Sequence, residues 1–354
     1  MKIYIQGTGC ISPQETAVEG ALLPAIRAYE GTRLSTVDPD YKQWIDIKQI
    51  RRMSRVVKMG VGAAKLSLQE AGVEMPDAII TGTAYGCLDD TGVFLTKLVN
   101  QQEEMLTPTS FIQSTHNTVG GQIALLLGCN AYNNTFVHKG FSFESALLDA
   151  IMLLRENTAQ RILVGGLDEI TTHSHTILSR FGLYRTGPVM NTTLLQQPAN
   201  GTIAGEGAAF FTLGTTKGAH TAAEITGLRT LYKPASPAAL WQEVERFLDE
   251  QEVTAAAIDL VITGRNGDTA TDQGFTAMET SLFAGKPVAT FKQLCGEYPT
   301  ASAFALWLGN KILQTQEVPA GVLFAGTVPT RINRILICNQ HQDTHHSLIL
   351  LTVC

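Results

Sequence analysis

The stretch NTFVHKGFSFESALLDA (134–150) has the layout of a strand, a sharp turn and a helix. The pattern predicts a strand over 134–137 and a helix that begins at Ser142. A residue on such a turn stands at a helix N-terminus. There the helix dipole lowers a thiol's pKa, and backbone N–H groups can hold an oxyanion. The residue at this turn is Gly140, which has nothing to attack with. His138 and Lys139 precede it. Ser142 follows two positions on and could serve only with a base beside it. A tight turn that needs glycine is the plainer reading.

Three further clusters carry chemistry-bearing side chains. VITGRNGDTATD (261–272) runs from a strand into a glycine-containing loop, which could present Arg265 or Asn266 to a ligand. Read structurally, it is a solvated turn with Asp272 as a helix N-cap. FKQLCGEYPTASA (291–303) gathers Lys292, Cys295 and Glu297 before a small-residue helix. Cys295 is there either a thiol beside a lysine or an inert buried cysteine, the commoner case. NQHQDTHHS (339–347) holds three histidines and Asp343. His341 and His345 have i, i+4 spacing, but the flanking strand patterns predict a turn, and no further ligand set is evident, so no metal is assigned. His173 and His175 fit a solvated helix end.

These segments need a frame. The chain has 354 residues, 44% of them apolar and only 16% charged, enough for a large core or two fused ones. The low charged fraction suits a surface covered by a partner. A net charge of −6 with no basic run beyond Arg51–Arg52 argues against nucleic acid. Six scattered cysteines without a CxxC pair read as free thiols in a reducing cytoplasm. The opening MKIYIQGTG reads as a strand rather than a signal peptide, and no run approaches a membrane span.

Strand patterns (KIYIQGTGCIS, DAIITGTAYG, TFVHKG, RILVGGLDE, GAAFFTLGT, AEITGLRTLY, AIDLVITGR) alternate with helical ones (SRVVKMGVGAAKLSLQEAG, DDTGVFLTKLVNQQ, THNTVGGQIALLLG, ALWQEVERFLDEQ, TASAFALWLGNKILQ). This predicts an α/β protein with largely buried sheets. RILIC and HSLILLTV predict an antiparallel pair near the end of a sheet. Each half ends in a strand after a long excursion, so a duplicated αβ unit is expected, with halves over 1–215 and 216–354. The stretch 186–204 reads as a polar surface loop.

Nearly the whole chain, in order, resembles the β-ketoacyl synthases of fatty-acid and polyketide assembly. The resemblance rests on YIQGTGCISP, RRMSRVVKMGVGAAKLSLQEAGV, TPTSFIQSTHNTVGGQIALLLG, ILVGGLDEIT and GEGAAFFTLG. It implies the thiolase-like fold, with duplicated αβ units in α-β-α-β-α layers, and chemistry by a cysteine and two histidines beside a lysine. Matched by position, the cysteine falls on Gly140. The first histidine, eight residues before Asp272, falls on Gly264. The second, in a K-x-x-x-G-H pattern, falls on Glu297, with Lys292 and Gly296 kept. The glycine-rich gating loop falls in NQHQDTHHS, which has no glycine.

The resemblance therefore implies a non-catalytic partner, similar to the chain-length factors of type II polyketide systems. Such a subunit completes a heterodimer with an active ketosynthase and shapes the acyl tunnel across the interface, with a separate acyl carrier protein and no cofactor. The variant motifs look similar to ketosynthase-like proteins of aryl-polyene or flexirubin-type pathways. Tyr85, Ser110, Phe111, Thr115 and Asn117 are the interface and tunnel candidates. Ser110 stands where many fatty-acid synthases of the family carry a bulky Phe. His138, Lys139 and Ser142 are what remains of the pocket. Two alternatives stay open: an active acyltransferase using Ser142 or Cys295, and a homodimer that binds an acyl group or carrier.

Overall fold

The structure is a computed structural model that describes residues 1–17 and 22–354; of Ser110 it describes the backbone alone. The first half contains β1 (Tyr4–Ile11), β2 (Glu30–Gly31), α1 (Ile47–Ile50), α2 (Arg55–Ala71), β3 (Ala78–Gly82), α3 (Leu88–Asn100), α4 (Pro108–Gln113) and α5 (Thr118–Leu127). It continues with β4 (Tyr132–Phe136), α6 (Ser142–Arg155), β5 (Arg161–Asp168), α7 (Thr172–Arg180), β6 (Val189–Met190) and β7 (Gly207–Gly214). The second half contains β8 (Ala223–Tyr232), α8 (Pro237–Glu250), β9 (Leu260–Thr263), α9 (Gln273–Thr280), β10 (Val288–Thr290) and α10 (Lys292–Cys295). It ends with α11 (Ser302–Thr315), β11 (Leu323–Ala325), β12 (Arg334–His341) and β13 (His345–Val353).

Eleven strands join in the order β11-β10-β9-β12-β13-β8-β1-β7-β5-β3-β4. The halves meet at β1 and β8 through a short antiparallel register, Tyr4 opposite Glu224 and Ile5 opposite Ala223. Within each half the five principal strands follow one plan: third, second, fourth, fifth, first. In the first half β3 is parallel to β4 and β5, while β7 is antiparallel to β5 and β1. In the second, β9 is parallel to β10 and β12, while β13 is antiparallel to β12 and β8. The expected duplication, invisible as identity, is written in topology.

Three main cores explain the layering. One lies between the sheet halves around α6 and α11. A second packs α2 and α5 on the outer face of the first half. A third packs α8 and α9 on the second half. The first part of α11, SAFALWLG (302–309), is buried on every side and almost wholly apolar, while Lys311, Gln314 and Thr315 face outward near its end. Its Phe304, Leu306 and Leu308 are fully buried, each stabilising by roughly 2 kcal/mol.

Two expectations need correction. The pair β12–β13 lies inside the sheet, flanked by β9 and β8, because β9, β10 and β11 continue the sheet on one side and β8 joins it to the first half on the other. The stretch 186–204 is only partly surface. Val189, Leu194 and Ile203 form a small core with Leu34, and Asn191 is buried, bonding the backbone at Arg27, Tyr29 and Gln293. Its polar composition serves that buried backbone.

Candidate functional site

Both central helices start at the same place. Strand β4 leads through a single 3-10 turn, Lys139–Phe141, into α6. Strand β10 leads through α10 and Gly296 toward α11. Gly296 has φ +76°, and a Cβ there would come within 2.4 Å of the Gly205 Cα, so only glycine fits. Glu297 follows it, its backbone tied to Ile203 and Gly205.

The space above the turn at Gly140 is occupied. A Cβ on Gly140 would lie 2.8 Å from the Cβ of His341 and 2.9 Å from that of His345. These histidines face each other across β12 and β13. The hairpin tip turns at Gln342 and Asp343, with φ of 54° and 52°. The stretch NQHQDTHHS is thus the tip of a tight hairpin between two paired strands. Among the described residues no group of three or more His, Cys, Asp and Glu could hold a metal.

His341 bridges the two helix starts. Its Nδ1 lies 3.0 Å from Glu297 Oε1. Glu297 Oε2 accepts from Lys292 Nζ at 2.7 Å and from Asn266 Nδ2 at 2.8 Å. Lys292 Nζ also donates to the Gln340 carbonyl, which ties the hairpin down. Burial opposes ionisation of Glu297, but the Lys292 ammonium and the His341 imidazole outweigh it and hold the carboxyl at about 2. An ionised carboxylate only accepts, so His341 Nδ1 carries the hydrogen. A base held that low is nearly inert near neutral pH. His345 is pushed down to about 4 by burial, with His341, His138 and Lys139 adding repulsion.

The remaining sequence candidates are committed elsewhere. Ser142 is buried; its Oγ donates to the Lys139 carbonyl at 2.8 Å and accepts from the His138 amide at 2.9 Å. Cys295 is fully buried, and burial pushes its thiol well above the ordinary range although Lys292 pulls the other way. Gly264 ends β9, and a Cβ there would meet Asn339 Oδ1 at 2.6 Å. Arg265 is not presented to a ligand: it clamps Glu279 through Nε and Nη2. Asp272 occupies the N-cap position of α9, but its carboxylate binds the loop amides of Asn266 and Gly267 instead. His173 is exposed, whereas His175 is half-buried and stacks on Tyr184 at 5.4 Å.

The tunnel candidates fall on one side. Tyr85 is half-buried after β3, its phenol pushed to about 12 by burial and by Asp168 and Glu297. Phe111 is 56% exposed and packs on Phe94 at 5.4 Å. Thr115 and Asn117 are exposed in the turn between α4 and α5, which leans on the Tyr85 loop through His116 against Gly86. The Ser110 side chain lies outside the described residues. His138 and Lys139 are exposed beside the turn, His138 Nδ1 being 3.3 Å from Ser145 Oγ.

Sequence reasoning missed Asp168, at the end of β5. Its Oδ1 accepts from Thr83 Oγ1 and the amides of Ala84 and Tyr85; its Oδ2 accepts from the amide and hydroxyl of Thr300. It thus joins the loop of one half to the head of the buried helix of the other. An aspartate ending an otherwise apolar strand was the available signal.

The comparisons bear on the fold. The profile described as "Beta-ketoacyl synthase, N-terminal domain" matches residues 31–191. A 3-oxoacyl-[acyl-carrier-protein] synthase 2 of Staphylococcus aureus (strain N315) is 22% identical over 261 residues, covering 65% of this chain. That match spans 62% of the relative's own length. Among solved structures, the ishigamide ketosynthase/chain length factor superposes with a TM-score of 0.81 at 19% identity, covering 100% of this chain and 99% of the other. The ketosynthase ApeO in complex with its chain length factor ApeC, from Xenorhabdus doucetiae, gives 0.78 at 16% identity, covering 100% and 98%.

Proposed function

Since this chain is ketosynthase-like and has the thiolase fold, we propose that it is a non-catalytic, chain-length-factor-like subunit. Its partner is an active β-ketoacyl synthase, and the pair extends an acyl chain carried by a separate acyl carrier protein in the cytoplasm. The observation that carries this reading is the site itself. Gly140, Gly264 and Glu297 stand at the three matched positions, and the His341 and His345 Cβ atoms fill the space a nucleophile would need. Restoring one residue would not restore a site.

A surface suited to a partner supports the reading. β4 ends the sheet, so one of its backbone edges is unpaired. Around it Leu125, Leu148 and Met152 are 70%, 50% and 49% exposed, and Tyr132 is 45% exposed. Gly121 on α5 has nothing within 4 Å of its Cβ position, so a second backbone can approach closely. Among the interface and tunnel candidates Tyr85, Ser110, Phe111, Thr115 and Asn117, we assign Tyr85 and Ser110 to the tunnel end. A polyene product of the aryl-polyene or flexirubin type fits the motif likeness.

The test is co-expression with an active ketosynthase from the same source. A 1:1 complex by native mass spectrometry, and elongation only when both chains are present, is expected. An acyl adduct on this chain in the absence of the partner, or elongation by this chain alone, would sink the proposal.

A further inference from the structure

We infer that Asn200–Gly201 is a site of spontaneous covalent modification, where the folded chain converts its own asparagine to isoaspartate and so loosens the loop that carries Asn266 into the buried site. The inference does not depend on the heterodimer reading. Two asparagines of the chain precede a glycine, Asn200 and Asn266. Glycine has no Cβ to shield its amide nitrogen or restrict its backbone, so the preceding side-chain amide reaches that nitrogen most readily there. The reaction needs water and no other reagent. The Gly201 nitrogen bonds to the Asn200 Cγ, and the side-chain nitrogen leaves as ammonia, taking up the hydrogen of the attacking amide. A cyclic imide remains. Water then adds to one of its two carbonyls. Opening on one side gives aspartate. Opening on the other gives isoaspartate, whose main chain runs through Cβ and Cγ.

The fold separates the two asparagines. Their glycines share one backbone state, φ +76° at Gly201 and +78° at Gly267. Each glycine amide also donates to a carboxylate, Gly201 to Asp268 Oδ2 at 3.1 Å and Gly267 to Asp272 Oδ2 at 2.9 Å. The side chains differ. Asn266 is 3% exposed; its Nδ2 donates to Glu297, and its Oδ1 accepts from the Asp268 amide and Thr271 Oγ1. Asn200 closes an exposed run from Gln196, and among the described residues its side chain has no partner. It can rotate and meet water, and attack requires only local release of the bond from Gly201 to Asp268. The product cannot keep the present register. Bridges flank the pair on both sides, Ala199 with Asp268 and Tyr184 with Thr202. An added main-chain carbon between them forces one to yield. Thr202 is buried and its Oγ1 holds the Asn266 carbonyl at 2.6 Å, whereas Ala199 is exposed. The Ala199 side therefore lets go, and the Thr269 amide and Gly267 carbonyl lose it as a partner.

The experiment ages the purified protein in mildly alkaline buffer, folded and in urea, and follows both asparagines by peptide mass spectrometry. In the folded protein Asn200 is expected to deamidate at least roughly tenfold faster than Asn266, which reacts only from an opened loop. In urea the two react alike. In heavy-oxygen water the new carboxylate carries the label, and isoaspartyl methyltransferase marks the isoaspartate form. Hydrogen exchange at the Thr269 amide is expected to quicken on ageing, and to stay slow in aged Asn200→Gln, whose longer side chain closes the ring far more slowly. Asn200 that stays intact in the folded protein while reacting in urea overturns the inference, as does Asn200 reacting no faster than Asn266. Conversion of Asn200 with unchanged exchange at Thr269 overturns the loosening.

Discussion

Replacing Gly140 with alanine tests whether the site is filled. Gly140 is not among the glycines with positive φ. On backbone grounds alone Gly140→Ala would therefore stabilise, by about 0.4–1 kcal/mol, through the unfolded chain. The added Cβ would, however, stand 2.8 Å and 2.9 Å from two Cβ atoms, where carbons prefer roughly 3.5–4.0 Å. Neither can swing away by rotating a side chain. His341 is fixed by Glu297 and its strand, and His345 by Phe141 and the cross-strand register. Overpacking of this kind costs about 1–3 kcal/mol. The net expectation is a loss of about 1–2 kcal/mol, or roughly 1–3 °C in melting temperature for a chain this long. Gly92→Ala is the control. Gly92 lies inside α3 with nothing within 4 Å of its Cβ position, so alanine there gains about 0.5–1 kcal/mol. Urea titrations of the three proteins give the signs. Gly140→Ala matching or exceeding the wild type would refute the filled-site argument.

The buried pair supplies a second prediction. Glu297→Gln leaves the Lys292 ammonium uncompensated at 1% exposure and is expected to cost about 3–5 kcal/mol, whereas Lys292→Met with Glu297→Leu costs much less; denaturant midpoints decide. The folded carboxyl is depressed from 4.5 to about 2. Its contribution, up to roughly 3 kcal/mol, is therefore present above pH about 4.5 and lost as pH falls toward 2. The Glu297→Gln variant should lack that part of the acid transition. Native thiol titration should find one fast cysteine, Cys354, since the other five are buried; a second fast thiol at Cys295 would reopen its reactivity. Leu125→Arg with Leu148→Glu should abolish co-purification with the ketosynthase while leaving the far-ultraviolet dichroism unchanged.

The frame was legible because its signals are local. Strand and helix patterns, the glycine turn before α6 and the polar hairpin were all readable from spacing. Three things were not. The central place of β12–β13 depends on which strands pair, and pairing is set by long-range packing against α11. The buried half of 186–204 was hidden because backbone groups far along the chain at Arg27 and Gln293 need its asparagine. The role of His341 was masked by its neighbours, since a run of histidines suggests ligands. The period of two was nonetheless informative. Ile335 and Ile337 face the central core, so Asn339 and His341 continue that face toward the site.

Gly140, Gly264 and Glu297, matched to the family's catalytic positions by resemblance alone, are better understood together than singly. Gly140 and Glu297 precede the two equivalent helices of a duplicated fold, and His341 touches one and bonds the other. With no side chain at 140, the hairpin can close on the turn. With a carboxylate at 297, the retained Lys292 gains a buried counter-ion in a place where a neutral histidine would leave its charge uncompensated. With no side chain at 264, Asn339 finds room. Each of the three residues thus fits the same closed arrangement. At Glu297 both carboxylate oxygens are partnered, and Asn266, Lys292 and His341 converge on them, whereas among the described residues the nearby Asn339 Oδ1 and Gln340 Nε2 are buried without a partner. The polar plug thus ties together elements of the second half, while Asp168 to Thr300 and the backbone of Glu297 to Ile203 and Gly205 cross between the halves.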